Sequence, residues 1–572
     1  MPYTPPVEEQ RFVLDHVVGI GELADHYPSA DRDTVDAVVE ALAAFAVGEI
    51  VPIGPAADRQ GSRWTPEGVI TADGYKEAYR SLVEGGWMSL TGAEEFGGQN
   101  MPLIMATLLM EDMCSADMAF SLCSMLSFGA IDALEVHGSE EQKTVWLGKL
   151  ISGEWTGTMN LTEPQAGSDV GALKTSAVRQ PDGRYKIKGQ KIFITYGEHD
   201  MADNIVHTVL ARTPDAPPGT KGISLFLVPR YRLDADGRPG EPNDVRAGSV
   251  EHKMGIHGSP TCVMLYGEND DCYGELIGAE GGGMRAMFTM MNAARLQVGL
   301  QGVAVAEAAT QHAAAYAMER VQSVRAGSPS REAVPIIQHP DVRRMLLRMK
   351  ALTMGARALI YQAVGMADRA KAGIEGAQAR VDVLTPLAKA WGTDVGCEVA
   401  SLGIQVHGGM GFIEETGAAR FYRDARIAPI YEGTNGIQAA DLVNRKLGLE
   451  GGTAVASLLA DLRTDGAGEE KLLDLIDRVE KIIAGYADAS IDDRLAGSYP
   501  LLTMLAVATG GGLMARQLRA AGDGNSDFLA MKRAAARYFL DVIVSEAAGL
   551  AASATAGAEL LYSCGDGCFV SA

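Results

Sequence analysis

Cysteine is scarce in this chain, with seven residues in 572. That is far below the density of a disulfide scaffold. The one close pair of note, Cys564 and Cys568 in "SCGDGC", has no histidine beside it, so no metal site is expected. Reduced thiols in a cytoplasm are the expectation. Basic residues are also in short supply. Lys and Arg total 50 against 73 Asp and Glu, a formal charge of −23. So acidic a surface repels phosphate backbones and argues against nucleic-acid binding. Near the C-terminus the longest apolar run, "PLLTMLAVATGGGLMA" (500–515), is short and interrupted by glycines, so no membrane span is expected. The opening "MPYTPPVEEQRF" lacks the basic start and apolar centre of a signal peptide. Nucleotide fingerprints are missing too. There is no GxxxxGK[ST], and the glycine cluster at 510–512 sits in a helical pattern with no strand ahead of it.

What is present is ordinary globular composition, 47% hydrophobic and 22% charged, in a length that suits three or four domains at roughly 100–200 residues each. Residues 1–155 read as helical. "DTVDAVVEALAAFAVGEIV" has helical periodicity, with Asp33 or Thr34 as its cap. "MPLIMATLLMEDMCSADMAFSLCSMLSFGAIDALEVHG" reads as a pair of helices apolar on most faces, at least one of them buried. Between 156 and 278 the period changes. "GRYKIKGQKIFIT" alternates, and "NIVHTVLAR", "GISLFLVPR" and "TCVMLYGE" are short β-branched runs, so a middle β domain is expected. Helical patterns return over 279–450. They open with one helix of about 39 residues, roughly 58 Å long, which needs neighbours of similar length and so implies a bundle. "LEGGTAV" reads as a linker to a further helical region, 451–572.

Few stretches stand out chemically. "MNLTEPQAGSDVGALKT" (159–175) offers backbone N–H groups and the hydroxyls of Thr162 and Ser168 where helix gives way to strand; a capping turn would look the same. In "GQKIFITYG", Phe193 and Thr195 share one strand face and could flank a flat ring, or simply pack. "NAAR" sets Asn292 and Arg295 on adjacent turns of an apolar helix, where an arginine needs a carboxylate or a site; Glu432 is a candidate partner. "QVHGGMGF" (405–412) lets backbone approach a ligand at Gly408 and Gly409, or ends a helix, with His407 packed or capping. Finally, "IAPIYEGTNGIQ" (427–438) puts a lone acid, Glu432, between two helices, either as a cap or as a base.

"TEPQAGSD", "KIFITYG", "QVHGGMGF", "YRDARI" and "IYEGTNGIQ", in this order and spacing, resemble the signatures of the acyl-CoA dehydrogenases over about 80–450. The resemblance implies a mainly α fold with a central β domain. Its parts are an N-terminal α-domain, a β-barrel-like middle domain, a four-helix bundle and a C-terminal helical extension. It implies FAD between the β domain and the bundle, an acyl-CoA substrate and electron-transfer flavoprotein as acceptor. A homodimer is favoured, because such an extension can cover the surface by which shorter relatives form tetramers. Carried over by residue, Met159, Leu161, Thr162, Gly167 and Ser168 form a flavin-contacting segment. Phe193, Ile194 and Thr195 flank the flavin ring, and Gln405, Gly408 and Gly409 approach the pyrophosphate. Thr434 and Asn435 add a further cofactor contact, and Arg320 and Gln338 reach a neighbouring subunit's FAD. Substrate falls to Ser168, Asn292, Arg295, Tyr431 and Gly433, and Glu432 is the catalytic base. Three departures stand out. Phe193 replaces a common Trp, Asn292 replaces a common Asp, and a longer loop (319–340) replaces the usual RxxFG. Some relatives on this fold bind DNA; the charge of −23 and the intact "YEGT" oppose that reading.

Overall fold

The computed structural model describes residues 2–570. The chain divides into two compact units. One is Glu40–Ala294; the other takes in the chain up to Val39 and again from Arg295 onward.

In the unit Glu40–Ala294, helix α1 (Leu103–His137) is apolar all round and buried along nearly its whole length. By length and composition it could cross a membrane, yet 78% of its most apolar window is covered by protein. The expected pair of helices is real in one sense. Asp117 breaks the helix with an extended backbone (φ −154°, ψ 101°). Its carboxylate accepts from the Ala119 N–H, as an N-cap does, and from the Tyr75 hydroxyl at 2.8 Å. The strands follow: β1 (Trp155–Asn160), β2 (Ser176–Arg179), β3 (Tyr185–Thr195), β4 (Asn204–Arg212), β5 (Ile223–Pro229), β6 (Val245–Val250), β7 (Thr261–Tyr266) and β8 (Tyr273–Ile277). They form one eight-stranded sheet in the order β6-β7-β3-β8-β5-β4-β1, and β2 pairs with both β3 and β4. That double pairing closes a ring through β3, β8, β5, β4 and β2, so the β-barrel-like expectation holds. Strand β1 is buried on both faces because α1 lies against it; a Cβ on Gly157 would stand 2.4 Å from that of Ala130.

In the other unit, α2 (Gly283–Glu319) enters at Arg295, and α3 (Pro340–Lys371) and α4 (Ala377–His407) pack against each other as long bundle helices. Helix α2 meets α4 through glycines. A Cβ on Gly302 would lie 2.0 Å from the Gly392 carbonyl, and one on Gly392 2.7 Å from the Gly299 carbonyl. Short helices α5 (Ala418–Ala425) and α6 (Asn435–Asp441) follow. Next come α7 (Thr453–Asp465), α8 (Glu470–Gly485), α9 (Ile491–Ala521) and α10 (Asp527–Tyr538).

The region after 451 is no separate compact body, as α9 packs on α3, α4 and α6. The sequence reading of 500–515 also needs correction. The run lies inside an unbroken 31-residue helix, long and apolar enough to cross a membrane, with 83% of its window buried in protein. Its glycines do not break the helix, because Phe539, Trp391, Leu472 and Leu462 press on them where a side chain would stand. The cap of Arg32–Phe45 is likewise two residues earlier than the nearer of the expected positions, Asp33. Asp31 accepts from the Asp33 and Thr34 N–H groups and from the Thr34 hydroxyl.

Candidate active site

The loop carrying Glu432 is built by its neighbours in sequence. Thr434 caps α6, accepting from the Ile437 N–H at 3.2 Å, so Glu432 is not needed as a cap. Glu432 itself is held in the left-handed region (φ 55°). That is costly for a non-glycine residue and concentrated at functional sites. Gly433 follows at φ 82°, and a Cβ there would come within 2.9 Å of Gln438 Nε2 and 3.7 Å of Arg295 Nη2. Only glycine fits. The Tyr431 hydroxyl donates to Gln301 Oε1.

The surroundings of Glu432 are cationic but not paired with it by hydrogen bonds. Arg295 is 7% exposed, and its Nε finds no hydrogen-bond partner among the described residues. Lys389, fully buried on α4, donates to Asn435 Oδ1 at 2.8 Å. Burial pushes the Glu432 carboxyl above the usual carboxylate range, while the charges of Arg295 and Lys389 pull it partway back. Burial brings the Lys389 ammonium down to about 8, against the opposing pull of Asp394 and Glu432. The Glu432 N–H has no hydrogen-bond partner among the described residues. The result is a desolvated base with a free N–H beside it.

Some expected contacts lie elsewhere. The Asn435 side chain is turned onto α4. It is buried, and its Nδ2 shares two N–H groups among the Ala390 carbonyl (3.1 Å), Thr393 Oγ1 (3.0 Å) and Asp394 Oδ1 (2.9 Å). Gln405, Gly408 and Gly409 are exposed at the end of α4, Gly408 at φ 60°, with open space where either glycine's Cβ would stand. His407 is packed, its ring stacked on His312 and Tyr316. The long loop after α2 closes on itself through Val321 and Pro335, and brings Arg320 and Gln338 to its base with both exposed.

In the unit Glu40–Ala294, the segment 161–175 is anchored by Glu163. This buried carboxylate accepts from Lys191 Nζ (2.8 Å), the Thr175 hydroxyl (2.6 Å) and two backbone N–H groups. Despite its burial, those partners hold Glu163 down to about 2. With the segment so anchored, Gly167 and Ser168 are exposed. The hydroxyls of Thr162, Ser168 and Thr195 have no hydrogen-bond partner among the described residues. Leu161 lends its carbonyl to Lys191, and Met159 is buried in β1. Strand β3 alternates only as far as Lys191. A bulge opposite Cys262–Met264 puts Phe193 at φ 60° and leaves it 59% exposed. Ile194 turns its side chain into the barrel core. Asn292 is exposed on α2, one turn before Arg295.

Sequence reasoning missed Lys389 and its neighbours Asp394 and Tyr499. The available signal was a lone lysine in the apolar stretch "TPLAKAW".

Comparison with known proteins accords with this site. The N-terminal, middle and C-terminal domains of acyl-CoA dehydrogenase match residues 32–154, 158–268 and 281–447. The acetyl-CoA dehydrogenase C-terminal-like domain matches 455–564. The chain therefore belongs to the acyl-CoA dehydrogenase family, FAD-dependent oxidoreductases of acyl-CoA thioesters. It is 44% identical to the 3-methylmercaptopropionyl-CoA dehydrogenase of Ruegeria pomeroyi, over 96% of this chain and 97% of that protein. It is 37% identical to a butyryl-CoA dehydrogenase of Syntrophomonas wolfei, over 78% and 75%. The structure of an acyl-CoA dehydrogenase from Bacillus anthracis complexed with FAD shares the fold, with TM-score 0.75 at 22% identity over 95% and 91% of the two chains.

Proposed function

We propose that the protein oxidises 3-methylmercaptopropionyl-CoA to methylthioacryloyl-CoA, a step of dimethylsulfoniopropionate degradation, with Glu432 as the base. The observation that carries this is the Glu432 loop: a strained backbone, a carboxyl raised by burial, two cations close by and an unused N–H.

A thioester α-proton is weakly acidic, so its removal needs a strong base and a stabilised enolate oxygen. Desolvation makes Glu432 the stronger base. Its own N–H donates to the thioester oxygen as negative charge builds there. Gly433 leaves room for the substrate beside the acid, and Tyr431, Ser168 and Asn292 are the further substrate contacts. Arg295 restrains the carboxylate and favours its ionised form. FAD, when bound, supplies the acceptor for the hydride lost from carbon 3. The residues present fit such a cofactor. Thr162, Ser168 and Thr195 offer unused hydroxyls, exposed Phe193 offers a ring, and Gly167, Gly408 and Gly409 offer uncovered backbone. Met159 and Leu161 belong to the segment of Thr162, Thr434 belongs to the Glu432 loop, and Arg320 and Gln338 belong to a partner subunit's cofactor site. Electron-transfer flavoprotein is the acceptor, and the protein is a cytoplasmic homodimer with no membrane span. By sequence its segments divide at 1–155, 156–278, 279–450 and 451–572, the last packed onto the third.

Thioether specificity is supported by the Ruegeria relative. A medium- or long-chain fatty acyl-CoA reading is the alternative, favoured by the butyryl-CoA dehydrogenase relative. Turnover of a panel of acyl-CoAs with a dye acceptor separates them. The first reading expects the highest kcat/KM on 3-methylmercaptopropionyl-CoA; higher values on butyryl- or octanoyl-CoA reject it.

A further inference from the structure

We infer that Tyr499, contributed by the C-terminal extension, is a positioning residue for Glu432, acting through Asp394, Asn435 and Lys389. The inference rests on Glu432 being the base.

The chain of contacts is continuous. The Tyr499 hydroxyl on α9 donates to Asp394 Oδ2 at 2.7 Å and accepts from Asn435 Nδ2 at 3.4 Å. The other oxygen of Asp394 accepts from Asn435 at 2.9 Å, and Asn435 in turn accepts from Lys389 at 2.8 Å. Asn435 lies three residues after Glu432, so these bonds clamp the catalytic turn onto α4. They also set its charge. Asp394 is desolvated, which disfavours its ionised form, and the Tyr499 hydroxyl supports that form. An ionised Asp394 keeps Lys389 protonated, and a protonated Lys389 favours the Glu432 carboxylate. The groups facing this chain are Arg295 from α2, Cys397 from α4, and Arg426 from the loop after α5. Asp441 and Arg445 in turn act on Arg295. A phenol from a region far along the sequence thus reaches the catalytic loop.

The sign of the effect follows. Without the hydroxyl, Asp394 protonates more readily, Lys389 loses charge, and the Glu432 carboxyl rises further. The rate of flavin bleaching by substrate then needs a higher pH. The experiment is stopped-flow reduction of the purified holoenzyme, without oxygen, as a function of pH, using whichever of 3-methylmercaptopropionyl-CoA or butyryl-CoA the wild type turns over. Tyr499→Phe is expected to move the acid limb upward by ~0.5 pH unit or more with KM little changed. Asp394→Asn is expected to move it in the same direction and further. Lys389→Arg, which retains the charge, is expected to stay closer to wild type than Lys389→Met. Profiles of Tyr499→Phe and Asp394→Asn that superimpose on an active wild type overturn the inference. A wild-type flavin that no acyl-CoA bleaches overturns instead the reading of Glu432, and this inference with it.

Discussion

Two buried charge clusters in the same compact unit are built on opposite plans. In one, each ion is answered by a counter-ion at bonding distance. Glu9 accepts from Lys532 (2.9 Å), and Glu307 from Arg357 (2.9 Å) and Lys350 (3.2 Å), while Lys532 also donates to Gln517. These partners hold the Glu307 carboxyl well below its usual range despite complete burial. The cluster joins the N-terminal helix Val7–Val13, α2, α3 and α10. In the other, Glu432, Arg295 and Lys389 act on one another through their fields, and Lys389 gives its hydrogen bond to an amide. Bonded pairing fixes protonation and geometry. Its absence leaves a carboxyl whose proton affinity is high enough for chemistry. The first arrangement holds the extension in place, and the second keeps a base reactive.

Substitutions can break this contrast. Glu432→Gln is expected to lower kcat by about 10²–10⁴-fold while the protein keeps its yellow cofactor and its unfolding midpoint. Bleaching at the wild-type rate would remove Glu432 from the mechanism. Glu307→Ala strands the buried Arg357 and removes the partner of half-buried Lys350, and is expected to cost roughly 3–5 kcal/mol in urea unfolding, with kcat per folded molecule unchanged. A large fall in kcat with normal stability would make the two clusters one system. The unit Glu40–Ala294 offers a third case. Buried His199 and His207 are pushed from 6.5 down to about 3, so below 6.5 the unfolded chain takes up protons that the folded one refuses. Stability is full above 6.5 and is lost as pH falls from there towards 3. Circular dichroism of urea unfolding against pH measures this, and a midpoint that stays flat below 6.5 contradicts it. Thr434→Ala removes the α6 cap together with the proposed cofactor contact and is expected to cost ~1 kcal/mol, with a smaller loss of kcat than Glu432→Gln.

Much of the fold was legible because patterning and packing agree. The strands at 204–212 and 223–229 lie where the β-branched runs placed them, and the long α2 where its periodicity did. Legibility fails where a distant residue decides. Nothing in "TGGGL" reveals that Phe539 and Leu472 will occupy the space of the missing side chains, which turns helix breakers into a helix interior. Nothing in "GQKIFIT" reveals the bulge that flips Phe193 outward and Ile194 inward. At the site, the acid at 432 and the arginine at 295 could be named from local context. The Lys389–Asp394–Tyr499 chain could not, because its members come together only when α9 lies on α4.

The glycine seam between α2 and α4 has a bearing on how such an enzyme can change. Arg295 and Lys389 ride on helices that touch main chain to main chain, so a single methyl at Gly302 would act as a wedge and drive both cations away from the base. Selection for bulkier thioesters must therefore carve space elsewhere and leave that contact intact.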